Sequence, residues 1–147
     1  SEAVQQAAEV SEREEQKQEK AEKKKKERAG IAYIYSTSNN TIVHITDLAG
    51  NTISRVSGGM ITKHSRLKAT PSVAMFVAKQ AAERAVDMGI TKLYVRLRGR
   101  TRGSLGPGGH MAAKTLSKSF DIVSIVNTTR IPRGGPKKKG GRRGRRV

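Results

Sequence analysis

Apolar residues that could form a hydrophobic core are confined to one stretch of the chain, positions 30–132. Residues 1–29 are rich in Glu, Lys, Gln and Ala, with too few apolar side chains to dock a helix on a core. Residues 133–147 are mostly Gly, Lys and Arg and cannot fold alone. The sequence therefore predicts one domain, 30–132, between a charged, partly helical or disordered extension, 1–29, and a basic Gly/Arg/Lys-rich tail, 133–147.

The first half of the core segment has the pattern of an antiparallel meander. Three β-prone runs cover 31–35, 41–47 and 52–57. They are separated by residues typical of tight turns, Asn39 and Asn40 in the first connection and Gly50 in the second. Consecutive strands joined by such short turns pair in antiparallel order.

Helices and strands alternate in the second half. Pro71, with Thr70 as its N-cap, predicts a helix over 71–88, and a second helix is expected over 107–119. Strands are expected over 92–98 and 121–127, and the last is apolar enough to be covered on both faces. The order βββαβαβ predicts an α/β domain with a mixed five-stranded sheet.

The excess of basic residues lies entirely after position 30. Residues 1–30 hold eight acids and eight bases, and 8 − 8 = 0; the other 117 residues hold 22 bases and four acids, which gives the net charge of +18. Nucleic acid is the commonest partner of such a chain, and an anionic membrane surface is the next. The chain has no cysteine and no apolar run long enough to span a membrane, so we expect a cytoplasmic protein without disulfides or Cys-based zinc sites.

The tail is the most basic of three clusters that could bind nucleic acid. Its glycines keep it flexible, and its lysines and arginines match phosphate groups. A nuclear-import signal or a solubilising tail is the alternative interpretation. The residues that we expect to contact phosphate here are Lys137, Lys138, Lys139, Arg142, Arg143, Arg145 and Arg146.

The other two clusters lie within the predicted domain. One runs from a strand end into a Gly-rich loop and comprises Arg96, Arg98, Arg100 and Arg102. The loop ends in Gly-Pro-Gly-Gly at a helix start, where free N–H groups suit a phosphate. The other cluster lies between the third strand and the first helix and comprises Lys63, His64, Arg66 and Lys68, of which the three cations are candidates for binding.

Aromatic residues are sparse, and only Tyr94, beside Arg96 and Arg98, is a candidate for base stacking. We therefore expect recognition of folded RNA through its backbone and shape. Catalysis has little support, because four acids do not provide the converging carboxylates of a two-metal nuclease. His44 alternates with hydrophobic neighbours and is expected to be structural. The sequence predicts no cofactor and no metal site.

Several motifs in order resemble one family. They lie at 34–36, 39–47, 57–60, 71–75, 106–108 and 139–147. Together they resemble the universal platform protein of the small ribosomal subunit, the eleventh in the bacterial count, in its archaeal and eukaryotic form. The extension 1–29 has no counterpart in this resemblance.

The resemblance implies a three-layer α/β/α fold of ribonuclease-H-like topology without catalytic carboxylates. It implies binding to small-subunit ribosomal RNA on the platform near the messenger exit, beside other platform proteins. Contact with messenger RNA near the exit is a further partner that it allows. The family positions on or near RNA match Asn39, Asn40, Gly58, Gly59, Lys63, Lys68 and the tail arginines. For the Asn and Gly pairs, pure turn geometry is an equal alternative.

Two other functions fit parts of the sequence. A basic architectural or chaperone-like nucleic-acid protein outside the ribosome would explain the charge but not the ordered motifs. A ribonuclease-H-like nuclease would explain the topology but not the missing acid cluster.

Overall fold

A computed structural model describes residues 27–100 and 104–135, together with positions 3–6, 8, 10, 13 and 16. The positions described in the first sixteen are helical and exposed. The folded part contains the strands β1 (Arg28–Ser36), β2 (Thr41–Asp47), β3 (Thr52–Ser57), β4 (Ile90–Arg98) and β5 (Asp121–Asn127). Its helices are α1 (Gly58–Ile61), α2 (Pro71–Asp87) and α3 (Gly109–Ser119), with a 3₁₀ turn at Ser65–Leu67. Within the described residues, no helix is long and apolar enough to cross a membrane.

The five strands form one mixed sheet in the order β3-β2-β1-β4-β5. Strand β2 is antiparallel to both of its neighbours, whereas β1, β4 and β5 pair in parallel. Strands β1, β3, β4 and β5 therefore all run in one direction, and only β2 runs against them. The α/β class and the mixed five-stranded sheet predicted from the sequence are confirmed.

One face of the sheet forms the hydrophobic core together with α2 and α3. Ile34, Ile45, Leu93 and Val95 are fully buried there, as are alanines of both helices. The two helices contact each other, and both bury small residues, such as Ala78 and Ala112, which allow close packing. On the opposite face, alternate strand residues are exposed.

Both long helices cover the same face of the sheet, so the described residues form two layers where the resemblance implies three. The crossover from β3 to β4 and the crossover from β4 to β5 move across the sheet in the same direction. Since such connections are right-handed almost without exception, both helices are expected on one side, and they do contact each other there. The other side of the sheet is open over this part of the chain.

The bounds of several elements differ from the prediction. Strand β1 begins at Arg28, before the expected domain boundary, and β4 begins at Ile90. Helix α3 begins at Gly109, because the preceding two residues form a turn. The segment between β3 and α2, expected as a loop, contains α1 and the 3₁₀ turn. Thr70 is the N-cap residue of α2, but its hydroxyl donates to the Leu67 carbonyl rather than capping the helix.

The expectation that the last strand is covered on both faces is wrong. Strand β5 is an edge strand, and Val123, Ile125 and Val126 are each about half exposed, at 51, 55 and 50%. An apolar run alone does not distinguish a central strand from an edge strand, because the number of paired neighbours depends on the strand order.

The glycine-rich loop before α3 packs against the turn between β1 and β2. A Cβ atom at Gly106 would lie 2.3 Å from the Thr37 carbonyl oxygen, and one at Gly108 would lie 2.4 Å from the Thr41 hydroxyl. The Gly106 N–H donates to the Ser36 carbonyl at 3.2 Å. Glycine is therefore required here by close approach of two backbone segments.

We expect Gly108→Ala to destabilise the fold by about 1–3 kcal/mol, because the new methyl group would overlap the Thr41 hydroxyl and the Ala74 side chain. Gly59→Ala is the matched control, since its Cβ would meet only the flexible Lys68 side chain at 3.5 Å. Urea unfolding followed by far-UV circular dichroism measures both variants. Equal midpoints for Gly108→Ala and the unaltered protein would contradict the close packing.

Candidate nucleic-acid interface

The strand directions bring most of the predicted binding residues of the domain to one end of the sheet. Strands β1, β3, β4 and β5 all finish at this end, so the segments that follow them are neighbours. We call this set the cationic end: the turn 37–40, the segment 58–68, and residues 98–100 and 128–133. Its basic side chains are Lys63, Arg66, Lys68, Arg98, Arg100, Arg130 and Arg133.

Asn40 holds two parts of the cationic end together. Its Oδ1 atom accepts hydrogen bonds from the backbone N–H groups of Thr41, at 2.8 Å, and Gly58, at 3.1 Å. Gly58 is buried, and a Cβ there would lie 2.3 Å from the Lys68 carbonyl oxygen. The turn after β1 is thus tied to the start of α1 and, through Gly58, to the backbone at Lys68.

The two members of each adjacent pair, the asparagines at 39 and 40 and the glycines at 58 and 59, have different surroundings. Asn40 is half-buried and Gly58 is buried, so both are fixed by packing and hydrogen bonds inside the protein. Asn39 and Gly59 are exposed beside them. Turn geometry therefore accounts for Asn40 and Gly58, while Asn39 and Gly59 are accessible to a partner.

Acidic residues of the described chain lie away from the cationic end. Asp47 ends β2, and Asp121 begins β5, so both are at the opposite end of the sheet. Glu27 precedes β1 at that same end. Glu83 and Asp87 are in the last turns of α2, which runs back from the cationic end. The cationic end contains no acid, and the sequence holds none in the gap 101–103 or after position 121.

Basic residues at the opposite end are neutralised by these acids. Lys92 Nζ lies 2.7 Å from Glu27 Oε2, and this hydrogen bond raises the pKa of Lys92. Arg28 Nη2 lies 3.9 Å from Asp47 Oδ2. Hydrogen bonds from the backbone and side chain of Asn51 lower the pKa of Asp47, and Arg28 lowers it further. The net positive charge of the described domain is therefore concentrated at the cationic end and on the open sheet face.

The glycine-rich loop is less open to phosphate than the sequence predicts. Gly108 and Gly109 are buried, and the Gly109 N–H donates to the Gly106 carbonyl at 3.3 Å. This loop packs closely on Thr37 and Thr41, so its glycines have a structural role: they allow the two segments to approach. The basic side chains on either side of it are better placed for binding.

The open face of the sheet places arginines next to tyrosines. In the register of β1 and β4, Tyr33 lies beside Arg96 and Tyr35 beside Arg98. The guanidinium carbons lie 5.8 and 5.7 Å from the respective ring centroids, which is the range of cation–π contacts. These four side chains line a surface cavity of about 340 Å³, together with Ile34, Thr128 and Arg130.

The segment after β5 completes this cavity because it is fixed to the end of β4. The Thr128 N–H donates to the Leu97 carbonyl at 2.8 Å, and the Gly99 N–H donates to the Thr129 hydroxyl at 2.8 Å. These bonds place Arg130 on the cavity wall. Arg130 had no signal in the sequence beyond its charge, because its position depends on contacts with a strand about 30 residues earlier.

The structure separates the predicted arginines. Arg96 lies on the open face, Arg98 joins that face to the cationic end, and Arg100 is exposed in the loop that follows. Arg102 and the tail residues from Lys137 to Arg146 lie outside the described residues.

Tyr33, Tyr35 and Arg55 were not identified from the sequence as exposed residues of one face. The two tyrosines are two positions apart, which places them on the same face of a strand. This spacing does not show which face of the sheet is open.

The acids and histidines of the described residues do not gather into a metal-binding cluster. No group of three or more His, Asp or Glu residues among them could hold a metal ion. His44 makes a 2.9 Å hydrogen bond between its Nε2 and the Thr52 hydroxyl, which agrees with a structural role. Asp47 is engaged with Asn51 and Arg28 and lies at the end of the sheet away from the basic residues.

The fold and its charge distribution define a class of protein: a basic α/β domain with a cationic surface suited to a polyanion. The family model described as Ribosomal protein S11 matches residues 30–143. The chain belongs to this family, so it is a structural constituent of the small ribosomal subunit, and it is not an enzyme. It binds ribosomal RNA of that subunit and neighbouring ribosomal proteins.

The different roles of the paired asparagines can be measured. Asn40→Ala leaves two backbone N–H groups without their acceptor and should lower the free energy of unfolding by about 1–3 kcal/mol. Asn40→Asp keeps the acceptor oxygen and should recover most of this stability. Asn39→Ala is the control, because its side chain is exposed. Urea unfolding compares the three, and equal destabilisation by both alanine variants would refute the assignment of Asn40 as a structural clamp.

Proposed function

We propose that the cationic end is the surface of the folded domain that approaches ribosomal RNA. The observation that supports this is the separation of charge: the acids of the folded domain lie at the opposite end or in the last turns of α2, and seven basic side chains lie at the cationic end. A phosphate-facing surface without acids avoids repulsion of the RNA backbone. Asn39 and Gly59 are exposed in the same surface and can contact RNA directly.

The tail and the loop arginines extend this surface in the proposal. In the sequence, Arg102 comes two positions after Arg100, and the tail follows Arg133, so both continue from described residues of the cationic end. The tail contributes seven cations between positions 137 and 147. Arginine side chains can bind phosphate oxygens bidentately, so a segment of this composition suits the RNA backbone.

We place the protein on the platform of the small subunit, near the messenger exit side, in the cytoplasm. This location rests on the resemblance of the ordered motifs and on membership of the family. Contact with messenger RNA near the exit and with the neighbouring platform proteins belongs to the same proposal. Helix α2 faces away from RNA in this arrangement, because its exposed face carries two acids, Glu83 and Asp87, that offset the charges of Lys79 and Arg84.

A charge-matched pair of variants tests the orientation. Lys63→Ala/Arg66→Ala removes one Lys and one Arg from the cationic end, and Lys79→Ala/Arg84→Ala removes the same charges from α2. All four side chains are exposed, so neither change should disturb the core. We expect the first variant to weaken binding to small-subunit ribosomal RNA by about 1–2 kcal/mol for each side chain that bound a phosphate, and the second to bind nearly normally. Filter binding measures both, and weaker binding by the α2 variant than by the first would reverse the orientation.

Deletion of residues 137–147 tests the tail. RNA affinity should fall, and the dependence of log affinity on log salt should become shallower by roughly 0.9 for each duplex phosphate that the tail neutralises. The far-UV circular dichroism spectrum of the domain should be retained, since the deleted residues follow the last strand. An unchanged salt dependence would show that the tail serves only solubility.

A further inference from the structure

All three tyrosines of the chain lie on the open face of the sheet. Tyr33 and Tyr35 are on β1 and Tyr94 is on β4, with side chains that are 36, 37 and 39% exposed. Their strand neighbours on the other face, such as Ile34 and Val95, are fully buried. A chain with so few aromatic residues thus places three of its five on one exposed surface.

Basic side chains surround these rings in a regular row. Arg55, His44, Tyr33 and Arg96 are in register across β3, β2, β1 and β4. The Tyr33 and His44 ring centroids are 6.1 Å apart. In the described residues, the ion pairs involve only Arg28 and Lys92, so the arginines of this face have no carboxylate partner there.

We propose that the open face binds unpaired nucleotides of ribosomal RNA, whose bases stack on Tyr33 and Tyr35 while Arg96, Arg98 and Arg130 contact phosphate. The proposal rests on the RNA-binding function proposed above and adds a second mode of contact to it. Aromatic rings in a basic groove on a sheet are the general means by which proteins bind single-stranded RNA. The cavity of about 340 Å³ beside these rings lies within the range of about 300–1,000 Å³ that small ligands occupy.

Charge and continuity favour RNA over a protein partner. Asp121 and Glu27 lie beside Lys92 at the far end of the sheet, and Asp47 lies beside Arg28 there, so the part of the face around Tyr33, Tyr35, Arg96 and Arg98 carries no acid. Arg98 and Arg130 belong both to this face and to the cationic end, so one RNA strand can pass from one surface to the other. Unpaired nucleotides are favoured over a duplex because paired, stacked bases do not offer their flat faces to tyrosine.

Intrinsic tyrosine fluorescence reports on this face alone, since the chain has no tryptophan and its three tyrosines all lie here. The full chain is titrated with a short unstructured pyrimidine RNA and, separately, with a duplex of equal length. Emission is corrected for RNA absorption with free tyrosine amide, and binding is followed in parallel by anisotropy of labelled RNA. We expect the single strand to quench the emission and the duplex to bind with little quenching.

Two double variants separate stacking from charge. Tyr33→Leu/Tyr35→Leu removes the aromatic rings and should weaken single-strand binding about tenfold or more, with the duplex affinity and the salt dependence unchanged. Tyr33→Phe/Tyr35→Phe keeps the rings and should bind the single strand nearly as well as the unaltered protein. Far-UV circular dichroism checks that both variants are folded. If the Phe variant keeps full affinity for the single strand, the weaker binding of the Leu variant is due to the missing aromatic rings and not to the missing hydroxyl groups.

The outcomes distinguish this inference from the function on which it rests. Binding of both RNAs without quenching, or unchanged single-strand affinity in the Leu variant, would overturn stacking on this face while leaving RNA binding by the cationic end intact. That result would leave the face for a protein neighbour. Failure of the chain to bind either RNA would instead refute the proposed RNA-binding surface.

Discussion

The handedness of two connections determines the architecture. The chain crosses from β3 to β4 and from β4 to β5 in the same direction, and crossovers between parallel strands are right-handed almost without exception. Both long helices are therefore on one face, where their alanines pack against the strands and against each other. The same topology leaves the other face open and brings the ends of four strands to one edge. Both candidate binding surfaces follow from this single constraint.

Charge segregation links that architecture to function. Strand β2 alone runs against the others, and its last residue, Asp47, stands beside Arg28 at the end opposite the basic loops. Glu27 neutralises Lys92 at that end as well. These acids thus neutralise Arg28 and Lys92, and the densest positive charge of the described domain is left at the cationic end. A family of small-subunit ribosomal proteins fits this distribution, because ribosomal RNA presents dense negative charge.

The residues of the turns illustrate how binding and structure share one motif. Asn39 and Asn40 are adjacent and chemically identical, and the sequence offers pure turn geometry and RNA contact as equal interpretations for both. The structure gives them different surroundings: Asn40 accepts two backbone hydrogen bonds, while Asn39 is exposed. The glycine pair shows the same division: Gly58 is buried against the Lys68 carbonyl, whereas Gly59 is accessible. Only the packing of a turn against a helix that begins eighteen residues later separates the members of each pair.

The sequence by itself determined the element order, the α/β class, the basic character and the family, because each rests on local periodicity, composition or ordered motifs. Tertiary structure alone decided which face of the sheet is open, since the run around Tyr33 and Tyr35 is apolar on both faces and does not reveal its pairing. It also decided that β5 is an exposed edge and that Arg130 joins Arg98. These properties depend on strand order and crossover direction, which are set by contacts between residues far apart in the chain.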